Sequence, residues 1–294
     1  MKKRVFLLLA IVAIVACVFA ISVSAADSIN PSSSNEFGTL TTFDGDIGNT
    51  NIVIGGFYDD NLEFVARIAT NPSKTEDEYA TKIKSILSIH NVDKTSVKGS
   101  IISSVVPPLT PIIKEAISFA YGVDSLIVGP GIKTGINIRC DNPASVGADL
   151  ICACVATNII YGSPALIIDM GTATKMMVLD KTGTFIGVSI IPGVAISLKA
   201  LSSGTAQLPQ ISLEAPKSVL GTNTADCMRS GVVFGNASML DGMIDRFNDE
   251  MGEKLPVYAT GGLSKSIIRH CKHGITHDDN LVLKGLNILY NKNK

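Results

Sequence analysis

No tryptophan occurs in this chain, aromatic residues make up only 5% of it, and its charge is nearly balanced at a formal net −1. Positive and negative side chains are interspersed, which excludes the basic footprint that nucleic-acid binding requires. Zinc-type spacing is missing as well. The six cysteines stand at positions 17, 140, 152, 154, 227 and 271 with no Cys-x-x-Cys pair, so they read as free thiols buried as small apolar residues. His270, His273 and His277 straddle a helix end and a glycine and read as solvated surface. What the chain has in plenty is apolar: 46% of its 294 residues are hydrophobic, ample for two domains sharing a cleft.

The beginning departs from the rest. Met1-Lys2-Lys3-Arg4 precedes an apolar run from Val5 to Val23, with Val23-Ser24-Ala25 shaped like a cleavage site. That is the pattern of an export signal, and the run is long enough to serve instead as an uncleaved membrane anchor. Asp27 to Asn35, rich in Ser, Asn and Pro, reads as a linker. Residues 1–36 are therefore expected to be leader and linker, with the folded part following.

The chemistry centres on Ala165-Leu-Ile-Ile-Asp169-Met-Gly171-Thr172-Ala-Thr174, an apolar run ending in an acid, a glycine and two hydroxyls. It reads as a buried strand breaking into a phosphate-binding turn, in which glycine lets successive N–H groups point into one concavity and Thr172 and Thr174 add donors. Asp169 repels phosphate but suits a cation that binds phosphate. Asp46-Ile-Gly48-Asn49-Thr50-Asn51-Ile52-Val53 repeats the acid, the glycine and the hydroxyl. Two such turns point to two similar half-domains presenting loops to one polyphosphate.

Alternating apolar positions predict strands at Asn51 to Phe57 and Leu62 to Ala69, although Thr39 to Gly45 is polar for the buried central strand that should lead into Asp46. A helix is expected after Ser73 or Thr75 as cap, and strand-then-helix units follow at Lys98 to Tyr121. Gly147-Ala148-Asp149 opens a strongly apolar helix, Leu150 to about Ile160, whose small residues allow close packing in the middle of the molecule. Met176 to Asp180 and Phe185 to Ile191 form a hairpin that mirrors the one after Asp46. A long helix runs from about Ala225 to Asn248, and Thr260-Gly261-Gly262 is a third turn suited to a nucleoside lying against the backbone.

These motifs, taken in order, resemble the type III pantothenate kinases, a branch of the acetate-kinase, sugar-kinase and actin-like ATPase superfamily. The resemblance runs from about Leu40 to Tyr290 and rests on Asp46-Ile-Gly-Asn-Thr50, Ser103 to Thr110, Gly129-Pro-Gly-Ile-Lys-Thr-Gly135, Asn137-Ile-Arg139, Asp141-Asn-Pro143, Gly147-Ala-Asp149, Asp169 to Thr174, Ile191-Pro-Gly193, Thr222-Asn-Thr224 and Thr260-Gly-Gly262. It implies an α/β fold of two ribonuclease-H-like domains, over residues 37–157 and 158–294, around a central nucleotide cleft. It also implies a homodimer that transfers the γ-phosphoryl group of ATP, with Mg2+, to the primary hydroxyl of pantothenate, the first step of coenzyme A synthesis. On the same resemblance Asp149 is the general base. Asp46, Ile47, Gly48, Asn49, Thr50, Asn51, Ile52, Val53 and Thr172 contact ATP. Asp169 holds a monovalent cation, K+ or NH4+. Cys140, Gly147, Ala148, Asp149, Leu150 and, from across the dimer, Thr224 line the pantothenate site. Such an enzyme is expected in the cytoplasm, with no nucleic-acid partner and with membrane contact only through a genuine anchor at residues 1–25.

The departures from that pattern cluster. Leu150 stands where the family usually has Arg, Cys140 where it usually has Tyr, and Lys175 where it often has Thr. Loss of a charge-assisted Arg contact to the substrate carboxylate costs about 1.5–3 kcal/mol, and Lys175 is expected to restore part of the positive charge to the site. A ligand-binding regulator on the same scaffold and a kinase with an altered acceptor are the competing readings.

Overall fold

The structure is a computed structural model and describes residues 42–93, 95–205 and 208–294. The leader and linker expected over residues 1–36 lie outside them. Two five-stranded sheets carry the chain. The first contains β1 (Thr42–Ile47), β2 (Asn51–Tyr58), β3 (Asn61–Ala69), β4 (Ser100–Ser104) and β5 (Ser125–Ile127), in the order β3-β2-β1-β4-β5. The second contains β6 (Ala165–Met170), β7 (Ala173–Leu179), β8 (Phe185–Pro192), β9 (Val257–Thr260) and β10 (Thr276–His277), and read from β8 its order is β8-β7-β6-β9-β10. The two orders are the same. In each half the first three strands are antiparallel neighbours, and the fourth and fifth add on the other side in parallel. This is the duplicated ribonuclease-H-like topology that the two acid-glycine turns foretell.

Period-two alternation explains the polar first strand. Phe43 and Ile47 of β1 enter the core formed with α1 (Glu76–Ile89) and α2 (Leu109–Tyr121). Thr42, Asp44 and Asp46 take the opposite face, so the strand is polar on one side only. There the Thr42 hydroxyl donates to Asn287 Oδ1 at 3.1 Å, and Asn287 Nδ2 donates to the Asp59 carbonyl at 2.9 Å. Asp44 has no such partner: it is fully buried and neither carboxyl oxygen is hydrogen-bonded among the described residues. Helix α1 starts as a capping box, Thr75 Oγ1 accepting from the Glu78 amide and Glu78 Oε2 accepting from the Thr75 amide. Of the two expected caps, Thr75 is the one used.

Helix α3 (Ala148–Ile160) lies between the sheets, which is why it is apolar all round. Ile151, Cys152 and Val155 join a cluster with Phe57 and Ile101 of the first sheet, while Leu150, Ala153 and Cys154 join one with Ile167 and Met177 of the second. Each fully buried Leu or Ile there contributes roughly 1.5–3 kcal/mol. The second sheet's other face packs on α5 (Thr224–Met251), with α4 (Val194–Ser203) and α6 (Ser264–Ile268) beside it. The last helix, α7 (Leu281–Asn293), returns to the first sheet, where Leu283, Leu286 and Leu289 pack with Phe57, Ile101 and Ile151. Residues 281–293 thus pack with the strands of the first half although they follow the second in sequence.

Candidate active site

Strand β6 places its site residue by alternation. Leu166, Ile168 and Met170 face the α5 core; Ala165 and Ile167 face α3, and Asp169 follows on that same side at the strand's end. Across the ladder Asp169 is paired with Lys175, as Ile167 is with Met177. The first turn of α3 comes down at this point and supplies Asp149. The Lys175 ammonium donates to Asp169 Oδ2 and to Asp149 Oδ2, each at 2.6 Å. All three side chains are largely enclosed, at 16% exposure for Lys175, 13% for Asp149 and 12% for Asp169. Asp149 Oδ1 accepts from the amide of Leu150 at 2.9 Å. A carboxylate has about four acceptor sites, so Asp149 keeps capacity for a further proton donor.

Electrostatics bind a third carboxylate to this group. Burial pushes the Asp46 carboxyl up to about 7, the negative charges of Asp149 and Asp169 add to the rise, and Lys175 opposes it. Burial likewise raises Asp169, against the pull of the Lys175 ammonium. For Lys175 burial acts downward, but the two carboxylates outweigh it and the ammonium is held well above its usual range. The site therefore holds one amine between Asp149 and Asp169, with Asp46 near enough to feel their charges.

The two phosphate turns meet. Thr50 and Thr172, 122 residues apart, have their hydroxyls 3.1 Å from each other, and both are exposed. Each turn is closed internally, since the Gly48 amide donates to the Asn51 carbonyl at 3.0 Å and the Gly171 amide to the Ala173 carbonyl at 3.1 Å. These two amides are therefore engaged within the turns. Thr174, expected as a donor, is corrected: it is fully buried and its hydroxyl has no hydrogen-bond partner among the described residues. In both halves the residue just after the third strand lies against the turn; of the two, Gly193 belongs to a motif legible in the sequence and Thr70 does not. Thr70 donates through Oγ1 to the Gly48 carbonyl at 2.6 Å and through its amide to the Thr50 carbonyl at 3.0 Å. Gly193 lies so close to the Thr172 carbonyl that any Cβ would overlap it.

The remaining expected residues divide. Asn49 and Asn51 are exposed at the first turn; Ile47 and Ile52 are core residues and can reach a ligand only through their backbone, and Val53 is half-buried against the α7 side. Gly147 and Ala148 lead into Asp149. Leu150 is buried among Ile167, Met177 and Ala153 and presents no polar atom. Cys140 is half-buried in the connection that runs along Phe185, through Arg139 N donating to the Phe185 carbonyl at 2.8 Å. Thr224 is exposed on the first turn of α5 and lines a groove of about 400 Å3 with Ser197, Leu201, Cys227 and Met228; no hydrogen bond joins it to the acids. At the third turn Gly261 has φ +97°, and a Cβ there would stand 2.6 Å from the Met170 carbonyl carbon, so its glycine serves chain packing; Gly262 faces open space. His273 pairs with Asp245 and His277 contacts Ser264, and no cluster of three or more metal-binding side chains exists among the described residues. Nor is any helix among them long and apolar enough to cross a membrane.

With this geometry established, similarity to known proteins is consistent throughout. The family model described as type III pantothenate kinase matches residues 37–246. A type III pantothenate kinase of Halalkalibacterium halodurans is 41% identical over 248 residues, which is 84% of this chain and 98% of that protein. Among solved structures, a Campylobacter jejuni chain described as a Baf family transcriptional activator aligns with a TM-score of 0.54 at 18% identity, over 85% of this chain and 98% of that one. A Sinorhizobium meliloti chain described as a 2-dehydro-3-deoxygalactonokinase also gives 0.54, at 14% identity, over 85% and 95%. At such identities these two structures speak for the fold alone, the two-domain actin-like fold.

Proposed function

The chain belongs to the type III pantothenate kinase family, and from that premise we propose that it phosphorylates the primary hydroxyl of pantothenate from MgATP, with Asp149 as general base. The observation that carries this reading is the convergence of two phosphate turns, at Thr50 and Thr172, beside a carboxylate at the start of α3. Phosphoryl transfer asks chiefly for in-line positioning and charge neutralisation, and one carboxylate placed to accept the hydroxyl proton completes it. Asn49, Thr50 and Thr172, with the backbone from Ile47 to Val53, cradle the nucleotide's phosphates. Bound Mg2+ enters with ATP as part of the substrate, and Asp46 is the turn carboxylate suited to its waters.

Gly147 and Ala148 form the floor for pantothenate next to Asp149, with Cys140 at its edge and Thr224 contributed by a second copy. Exposed Ile190, Ile196 and Leu201, on β8 and α4 beside that groove, support a homodimer. Coenzyme A synthesis places the enzyme in the cytoplasm, and residues 37–157 and 158–294 are its two halves, with α7 crossing back to the first. The monovalent cation expected at Asp169 does not fit: its Oδ2 already lies 2.6 Å from the Lys175 ammonium.

The test is ATP-dependent phosphorylation of pantothenate by the full chain beside an Asp149→Asn variant. Loss of a positioned base lowers turnover by about 100- to 10,000-fold. Equal turnover in the variant would remove Asp149 from that role. ATP binding without phosphorylation of pantothenate would overturn the assignment of the acceptor.

A further inference from the structure

We propose that Lys175 is a tethered monovalent cation: its ammonium takes the position between Asp149 and Asp169 where a mobile ion would otherwise be needed, so that this protein requires no added potassium or ammonium. The inference rests on the kinase reading for its activity assay, and on the geometry alone for its second readout.

Three observations converge. First, the ammonium lies 2.6 Å from one oxygen of each carboxylate, and among the described residues Asp149 and Asp169 form ion pairs with Lys175 alone. Second, the arrangement is built into the fold. Lys175 stands directly opposite Asp169 in the β6–β7 ladder, and β7 begins at the second phosphate turn, so strand pairing fixes where the amine can reach. Third, the trio is largely enclosed, which separates it from a solvated surface pair of little consequence.

The charge balance gives this its chemical meaning. Asp149 and Asp169 face each other across one ammonium, and two like charges brought together in a low-dielectric site repel unless a positive charge lies between them. Ammonium and potassium ions have nearly the same radius, so one atom at this distance from both oxygens fills the volume that either ion would occupy. A hydroxyl side chain at 175 would remove the charge and reopen the space. The same contact settles where the extra positive charge of this chain goes: it is committed to the two acids and is not free to pair with a substrate carboxylate.

The experiment compares the full chain with Lys175→Thr in choline chloride, and in KCl or NH4Cl at matched ionic strength. The unmodified protein should turn over at rates within about twofold in all three salts, whereas the variant should fall about 100-fold in choline and recover with NH4Cl or KCl, as expected when one preorganised charge is removed and then replaced. Melting temperature supplies the independent readout: NH4Cl and KCl should raise it over choline in the variant and leave the parent unchanged, because only the variant has a site for the ion. Stimulation of the unmodified protein by about tenfold or more in KCl would overturn the proposal, and that comparison needs no variant to fold. A variant that is fully active in choline and shows no ion-specific melting shift would overturn it as well. If neither protein phosphorylates pantothenate, the kinase reading fails, and the melting comparison still decides the role of Lys175.

Discussion

Replacing Asp44 by valine should stabilise this protein, and by an amount that grows with pH. Asp44 sits in the middle of β1 with no exposed surface, opposite Gly55 and Ile101 in the ladder, with both carboxyl oxygens unpartnered among the described residues. Burial pushes its carboxyl well above the ordinary aspartate value of 3.8; the nearby Thr42 hydroxyl opposes this only weakly, because its proton is donated to Asn287 Oδ1 and leaves the carboxyl unpartnered. The folded state therefore keeps a proton that the unfolded chain has already released. Because the folded value is the raised one, its contribution to stability is fully present below pH 3.8 and is lost as pH rises. While the two states differ by one proton, the loss is about 1.4 kcal/mol per pH unit. That loss comes on top of about 1–3 kcal/mol for an unsatisfied buried polar group. Valine removes both costs, is close in volume and suits a strand. At roughly 2–4 °C per kcal/mol for a chain of this size, relief of the unsatisfied polar group alone should raise the melting temperature of Asp44→Val by about 2–12 °C, and the advantage should widen as pH rises. Asp44→Asn should remove the pH dependence while keeping the orphaned polar group. Calorimetry of the three proteins at two pH values is the assay. A valine variant that is no more stable than the parent, or an advantage that does not change with pH, would refute the buried and unpartnered carboxyl.

Two further outcomes follow from the site. Asp46 is raised to about 7, chiefly by burial and then by Asp149, so its stabilising contribution disappears as pH climbs through that value; Asp46→Asn should flatten the melting profile of the nucleotide-free protein between pH 5 and 8, and an unchanged profile would contradict the shift. Gly193→Ala places a methyl against the Thr172 carbonyl, and the displaced turn should lower kcat/KM by about 10- to 100-fold with circular dichroism unchanged. Parent-like kinetics would show that Gly193 does not support the second phosphate turn.

Much of this fold is legible in the chain because its signals are local. The capping box at Thr75 and Glu78, the hairpin around Lys181 to Thr184 and the all-round apolar α3 each follow from residues within one or two turns of one another. The polar approach to Asp46 is harder to read, because one face of β1 meets Asn287, a partner 245 residues away in sequence. The third turn misleads for a related reason: glycine at 261 signals close approach, but only the packing shows that what approaches is the Met170 backbone.

The sequence by itself determined the two acid-glycine-hydroxyl turns, the alternation of strand and helix that sets them in equivalent halves, and the acid at the start of α3. Those features depend on backbone periodicity and on side chains a few residues apart, so a linear string contains them. Tertiary structure alone decided that Thr50 meets Thr172, that Leu150 turns into the core, that α7 returns to the first sheet, and that Lys175 bridges Asp149 to Asp169. Each of these is a contact between segments whose separation in sequence carries no distance information. Strand register and the crossing of α3 over the second sheet bring one amine within 2.6 Å of two acids, and burial then makes that contact strong.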